Sequence, residues 1–184
     1  MNINRVDSGG RNFEYISGED PYLGYVLAQS AVKGIQDQGV MANAKHFVNN
    51  NQETDRLSID EHVDERTRFE MYYPPFEGAI EAGVGSFMCS YNLINGIYSC
   101  ENNSTLNTDL RERLGFKGYV MSDWGAAHSV SIEQGLEQEM DGNPDNLIFT
   151  EDLVKKVPAD VLDEAVYRIL YASINTGIFD KSPE

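Results

Sequence analysis

Short apolar segments alternate with helical segments along this chain, and that alternation constrains the fold more than any other feature. Segments 40–48, 86–92 and 118–123 predict buried strands, and MNINRV (1–6) is compatible with a further strand. Strands that are separated by helices pair in parallel through right-handed crossovers. Apolar residues along the length of each strand are expected when helices cover the sheet. The sequence therefore predicts an α/β fold.

The helical segments carry recognisable start and stop signals. Five segments predict helices: 21–39, 64–83, 103–115, 130–138 and 158–179. Pro74-Pro75 should bend or break the second of them, and Gly115 should end the third after a cap at Asn103 or Ser104. Apolar residues recur on one side of the last helix, at Val161, Leu162, Ala165, Val166, Ile169, Leu170 and Ile174. One domain over residues 1–184 is expected, with four or five parallel strands alternating with such helices; a closed (β/α)8 TIM-like barrel has eight, so as a barrel this domain would be partial.

Charge and hydropathy exclude several classes of partner. The formal net charge of the 184 residues is −16, and no Lys/Arg stripe is present, which argues against nucleic acid and against an anionic membrane surface. No apolar run approaches the roughly 20 residues of a membrane span. An uncharged substrate is compatible with this composition.

Three predicted strands end in residues that can do chemistry. Lys45-His46, Tyr91-Asn92 and Asp123-Trp124 follow apolar runs, and in α/β folds ligands bind at the carboxyl ends of strands. Each residue also has a structural interpretation. Asp123 could cap a helix, Lys45 and His46 could be satisfied polar strand ends, and Arg56 could form a surface ion pair with Glu53 or Asp55.

The two cysteines, Cys89 and Cys100, lie eleven positions apart without a CxxC or Cys/His cluster, so zinc is not expected. They could form a disulfide or remain two free thiols. The cysteine pair and two overlapping N-glycosylation sequons, at Asn102 and Asn103, favour an extracellular location, which the sequence does not otherwise determine.

Four motifs resemble glycoside hydrolase family 3 of the β-glucosidase and β-xylosidase type: GGRNFEYISGEDPYLG, KHFVNNNQETDR, FMCSYNLINGIYSCENNSTLN and LRERLGFKGYVMSDWGAAHS. The resemblance implies hydrolysis of a β-glucoside or oligosaccharide by a retaining mechanism, without metal or organic cofactor. It implies that Asp123 is the nucleophile and that Trp124 lies beside the leaving group. The residues that it places around the sugar are Arg11, Lys45, His46, Arg56 and Tyr91, with Met88 on the wall of the pocket.

The resemblance also suggests that other parts of the site lie outside this chain. The chain resembles the family barrel from about its third strand to its end, so the acid/base glutamate is expected from a further domain, and the strands are expected to self-associate or to pair with further barrel segments. A cis peptide between Lys45 and His46 is expected. His62 is interpreted as a loop histidine, unless it pairs with Asp60 as an acid/base dyad. The alternatives to an enzyme are a non-catalytic carbohydrate-binding fragment and a purely structural one.

Overall fold

A three-stranded parallel sheet lies at the centre of the molecule, in a computed structural model that describes residues 1–180; residues 181–184, the end of the predicted domain, lie outside the described residues. The described residues contain six strands: β1 (Asn43–Phe47), β2 (Asp60–Glu61), β3 (Ser86–Cys89), β4 (Leu93–Ile94), β5 (Ile97–Tyr98) and β6 (Tyr119–Ser122). The central sheet has the order β1-β3-β6, and a smaller sheet has the order β2-β4-β5. Only the β4–β5 pair is antiparallel, so five strands take part in parallel pairs. The predicted α/β fold is confirmed.

Helices connect the central strands as the sequence predicts. They are α1 (Pro21–Gln36), α2 (Glu65–Thr67), α3 (Pro74–Glu81), α4 (Glu151–Val154) and α5 (Ala159–Asn175), with π-helical segments at Arg68–Tyr72 and Ser104–Arg113 and 3₁₀ turns at Asn12–Glu14 and Ser99–Glu101. The Asp20 carboxylate caps α1 by accepting hydrogen bonds from the backbone of Tyr22 and Leu23. The predicted break falls at Pro74, where α3 begins. Within residues 1–180, no helix is both long and apolar enough to cross a membrane.

Two predicted elements are wrong. Residues 130–138 form turns rather than a helix, because Gly135 takes a φ of +103°, and a Cβ there would lie 2.8 Å from Asn107. Ile132 and Leu136 are both buried, and their i, i+4 spacing is the pattern that led to the helix prediction. The segment MNINRV is not a strand; the Asn2 side chain instead hydrogen-bonds the backbone of β1.

The aromatic core packs around Phe47, at the end of β1. Its ring lies 5.5 Å from Tyr73, 5.1 Å from Phe76 and 5.7 Å from Phe87, measured between centroids. All four side chains are fully buried. Because Phe47 directly follows His46, this cluster holds the carboxyl end of β1 against β3 and α3.

The outer surface of α5 remains exposed in this chain. Only Ala165 and Ala172 of this helix are buried, whereas Val166, Leu170 and Ile174 are 48%, 45% and 60% exposed. The helix is therefore where the periodicity predicts it, but of its seven predicted apolar residues only Ala165 is buried and three remain exposed.

Candidate active site

Asp123 directly follows β6, at the carboxyl end of the central sheet. Its backbone N–H donates to the Cys89 carbonyl at 3.2 Å, and its own carbonyl accepts from Ala126 at 3.0 Å. The residues after Asp123 form a turn, not a helix. Asp123 is therefore not a helix cap, and its side chain is available for another role.

Three donors surround the Asp123 carboxylate. The Tyr91 hydroxyl and the Trp124 backbone N–H donate to Oδ1 at 3.0 and 2.8 Å. His46 Nε2 lies 3.2 Å from Oδ2. Asp123 is only 8% exposed, so the carboxylate is fixed by contacts from β1, from the segment after β3 and from its own turn.

His46 is a neutral donor at this site. Burial, followed by the positive charges of Arg11 and Lys45, lowers its pKa from 6.5 to about 2. A neutral imidazole has one N–H, and with that proton on Nε2 it can donate to the Asp123 carboxylate. The side chain of Asn2 holds the His46 backbone through bonds of 2.9 and 2.8 Å. The Lys45–His46 peptide is cis, as predicted.

Tyr91 joins Asp123 to the charged residues around it. Burial, followed by the negative charge of Asp123, raises its pKa to about 12, so the phenol keeps its proton. The hydroxyl also lies 2.9 Å from the Trp124 carbonyl. The Arg56 guanidinium lies over the Tyr91 ring, 4.8 Å from its centroid.

The three predicted cations meet two carboxylates: Glu14, which the sequence reasoning missed, and Glu53, which it named as a partner of Arg56. Arg11 bonds Glu14 at 3.0 and 2.9 Å and lies 3.1 Å from Glu53. Arg56 lies 3.2 Å from Glu53, which is the surface ion pair considered above, and Lys45 lies 3.9 Å from Glu14. Glu14 follows Arg11 by three positions, the same separation as between Glu53 and Arg56, and this spacing could have indicated the Arg11–Glu14 pair too.

Trp124 and Met88 occupy different surroundings. Trp124 is 51% exposed directly beside the buried Asp123, so its indole is accessible next to the carboxylate. Met88 is 7% exposed in β3, in register with Lys45 on one side and Met121 on the other. Paired residues of parallel strands project to the same face, so Met88 lies on the Lys45 face of the sheet.

Ser99 is a second residue that the sequence reasoning missed. Its buried hydroxyl donates to the Phe47 carbonyl at 2.7 Å and accepts from the backbone of Val48 and Ser90 at 3.2 and 3.4 Å. The adjacent Cys100 forms a disulfide with Cys89, which decides the open question about the cysteines. Together these links close the loop that carries Tyr91.

Other acidic residues that could supply a second carboxylate are already paired. Glu137 is buried between Arg111 and Arg168, with contacts of 2.7 Å to each, and accepts the Val120 N–H at 2.7 Å. Asp60 does pair with His62 at 3.2 Å, but the His62 side chain is 80% exposed. Within residues 1–180, no three His, Cys, Asp or Glu side chains are arranged to hold a metal ion.

Comparison with known families assigns the chain to one of them. Residues 1–142 match the glycosyl hydrolase family 3 N terminal domain. The chain belongs to glycosyl hydrolase family 3. A β-glucosidase of Rhizobium radiobacter is 43% identical over 190 aligned positions, covering all of this chain and 23% of that protein. The probable β-glucosidase L of Aspergillus terreus is 42% identical over 182, covering 92% of this chain and 25% of the relative. The chain thus spans about a quarter of these family 3 relatives.

Solved family 3 structures share the fold over the whole chain. The β-glucosidase D2-BGL of Chaetomella raphigera superposes with a TM-score of 0.94 at 36% identity, covering 100% of this chain and 28% of that one. DesR, a β-glucosidase from Streptomyces venezuelae solved in complex with D-glucose, superposes with a TM-score of 0.91 at 40% identity, and the match covers 100% of this chain and 26% of DesR. The parallel strands and helices described above therefore match the barrel-like N-terminal domain of the family.

Proposed function

We propose that this chain supplies the nucleophile part of a retaining β-glucosidase site, with Asp123 as the nucleophile. The observation that carries the proposal is the carboxylate of Asp123, buried at a strand end and held by Tyr91, His46 and the Trp124 backbone. A carboxylate that must form a bond at one carbon gains from being fixed before the substrate arrives, because no reorganisation is then needed.

The hydrogen-bonding pattern favours Oδ2 as the attacking oxygen. Oδ1 accepts two hydrogen bonds, whereas Oδ2 has one contact, with His46. In the first step Oδ2 forms a bond to the anomeric carbon while the bond from that carbon to the leaving oxygen breaks and a general acid protonates that oxygen. In the second step water, deprotonated by the same group, attacks the anomeric carbon and releases Asp123.

The charges around the pocket suit an uncharged sugar. Three cations face three carboxylates here: Arg11, Lys45 and Arg56 against Glu14, Glu53 and Asp123. The summed charge is near zero, but the many polar groups can hydrogen-bond hydroxyls, and such bonds can strengthen in the oxocarbenium-like transition state. We assign the exposed face of Trp124 to the apolar side of the leaving-group sugar.

We further propose that the general acid/base comes from outside residues 1–184. Retaining glycosidases hold their two carboxyl groups about 5–5.5 Å apart. Around Asp123 the nearby acids Glu14 and Glu53 are bound to arginines, and Glu137 is buried in its own ion pairs. The hydrogen bond with Arg11 lowers the pKa of Glu14, which keeps that carboxylate charged. Burial raises the pKa of Glu137, but both of its oxygens are occupied by Arg111, Arg168 and the Val120 N–H, so it is not arranged to protonate a substrate.

Covalent labelling tests the nucleophile without a general acid. A 2-deoxy-2-fluoro β-glucoside with a dinitrophenolate leaving group should form a glycosyl ester on Asp123, detectable by intact mass and peptide mapping. Asp123→Asn should remain unlabelled, and Asp60→Asn, which removes a partly buried acid in the smaller sheet, should label like the wild type. A label on another residue would overturn the assignment. Quenching of Trp124 fluorescence by sugar without any label would instead support a carbohydrate-binding fragment.

A further inference from the structure

Two overlapping glycosylation sequons, Asn102-Asn103-Ser104 and Asn103-Ser104-Thr105, lie just before the Ser104–Arg113 helix. Transfer of an oligosaccharide needs an asparagine side chain that can carry a bulky polar group in the folded protein. The two asparagines differ sharply in that respect.

Asn102 is engaged inside the fold. It is 3% exposed, its Nδ2 donates to the Ile94 carbonyl at 3.1 Å, and its Oδ1 accepts from the Thr105 N–H at 3.3 Å. A sugar on Nδ2 would break the bond to Ile94 and would need space that the packed interior does not provide.

Asn103 is exposed, and its side chain takes part in only one hydrogen bond among residues 1–180. It makes no side-chain capping bond to the helix that it precedes, and its Oδ1 accepts one hydrogen bond, from Asn107 Nδ2 at 2.8 Å. Among residues 1–180, Asn103 Nδ2 has no acceptor. The residue lines one side of an open groove of about 450 Å³ between this helix and α5, which offers room beside it for a first sugar unit.

A second observation concerns the compartment in which the chain folds. Cys100, three residues before Asn103, forms the disulfide with Cys89. Disulfides persist in oxidising compartments, and the eukaryotic secretory pathway is both oxidising and the site of N-linked glycosylation. The disulfide and the exposed sequon are therefore both consistent with folding in the secretory pathway.

We propose that Asn103, and not Asn102, is an acceptor for an N-linked oligosaccharide. The donor is a polyprenyl-diphosphate-linked oligosaccharide supplied by the secretory pathway. Asn103 Nδ2 forms a bond to the anomeric carbon of the first sugar, the bond from that carbon to the diphosphate oxygen breaks, the amide loses one proton, and the lipid diphosphate leaves.

The sequons allow a matched test, because each can be removed without the other. Ser104→Ala abolishes only the Asn102 sequon, and Asn103→Gln abolishes only the Asn103 sequon. Residues 1–184 and both variants are secreted from a yeast host, and the sites are mapped after enzymatic deglycosylation, which converts an occupied asparagine to aspartate. Secreted and retained protein are mapped separately, because transfer can precede folding.

The expected result is one glycan on the wild type and on Ser104→Ala, at Asn103, and none on secreted Asn103→Gln. A glycan on Asn102 in any secreted protein would overturn the proposal. An unoccupied Asn103 in both pools of the wild type would overturn it equally. Labelling of Asp123 by the fluoroglucoside plays no part in these outcomes, so this proposal and the proposed function can fail separately.

Discussion

The buried neutral His46 makes a quantitative prediction about acid stability. Its pKa is about 2 in the folded chain, against 6.5 for the free side chain, because burial and the charges of Arg11 and Lys45 oppose protonation. The Asp123 carboxylate, with Oδ2 at 3.2 Å from His46 Nε2, favours protonation of the imidazole, but its effect on the pKa is smaller than that of burial and the two cations. As the pH falls below 6.5, the unfolded chain therefore takes up a proton that the folded chain does not.

The sign and size of the effect follow from that difference. The stability associated with neutral His46 is fully present above pH 6.5 and is lost as the pH falls toward 2. The loss is about 1.4 kcal/mol per pH unit, so it reaches about 2.7 kcal/mol near pH 4.5. In the variant His46→Asn no imidazole titrates, and this part of the acid loss should disappear.

Urea unfolding of both proteins near pH 7.5 and about pH 4.5, followed by the fluorescence of the single tryptophan, measures the difference. His62→Asn is the matched control, because that side chain is 80% exposed, and it should keep the wild-type acid loss. The reasoning is refuted if His46→Asn loses as much stability between the two pH values as the wild type does.

Three further changes test other parts of the description. Tyr91→Phe removes a hydrogen bond that orients the Asp123 carboxylate, and because a misplacement of about 1 Å can cost about 100-fold in rate, the first-turnover release of dinitrophenolate should slow by up to about 100-fold; an unchanged rate would contradict the positioning role. Glu137→Gln leaves two arginines without their buried partner and should lower the free energy of unfolding by about 3–5 kcal/mol, whereas the exposed Glu164→Gln should cost under about 1 kcal/mol. The chain should self-associate in sedimentation experiments and Ile174→Lys should weaken that association, because α5 leaves apolar side chains exposed; a monomer at all concentrations would argue against it.

Local signals predicted most of the fold. The helix breaks and ends follow proline and glycine, as at Pro74 and Gly115, which has a φ of +76°. The helix prediction for residues 130–138 was wrong because the spacing of Ile132 and Leu136 fits either a helix or a pair of turns that bury the same side chains. Only the path of the chain around Gly135 distinguishes them, and there the backbone takes a positive φ with Asn107 packed too close for a side chain at that position.

The sequence placed candidate site residues at strand ends, but it indicated few of the contacts between their side chains. The pairing of strand ends brings His46, Tyr91 and Asp123 together, and parallel topology was enough to suggest it. Whether the cysteines bridge depended on their Cα atoms coming within 5.2 Å, which spacing alone does not determine. The hydrogen bonds of Ser99 could not be predicted either, because no local sequence pattern indicates that a serine will be buried.

The Tyr91 hydroxyl has one proton and two acceptors within reach, the Asp123 carboxylate at 3.0 Å and the Trp124 carbonyl at 2.9 Å. While Asp123 is ionised, the proton gains most by pointing to the carboxylate. In the proposed mechanism the carboxylate becomes an ester, which is neutral and a weaker acceptor, and a small rotation of the O–H bond can then redirect the proton to the carbonyl. The hydroxyl would then have an acceptor in both states of the catalytic cycle, so the site can lose and regain a negative charge without moving a heavy atom around it.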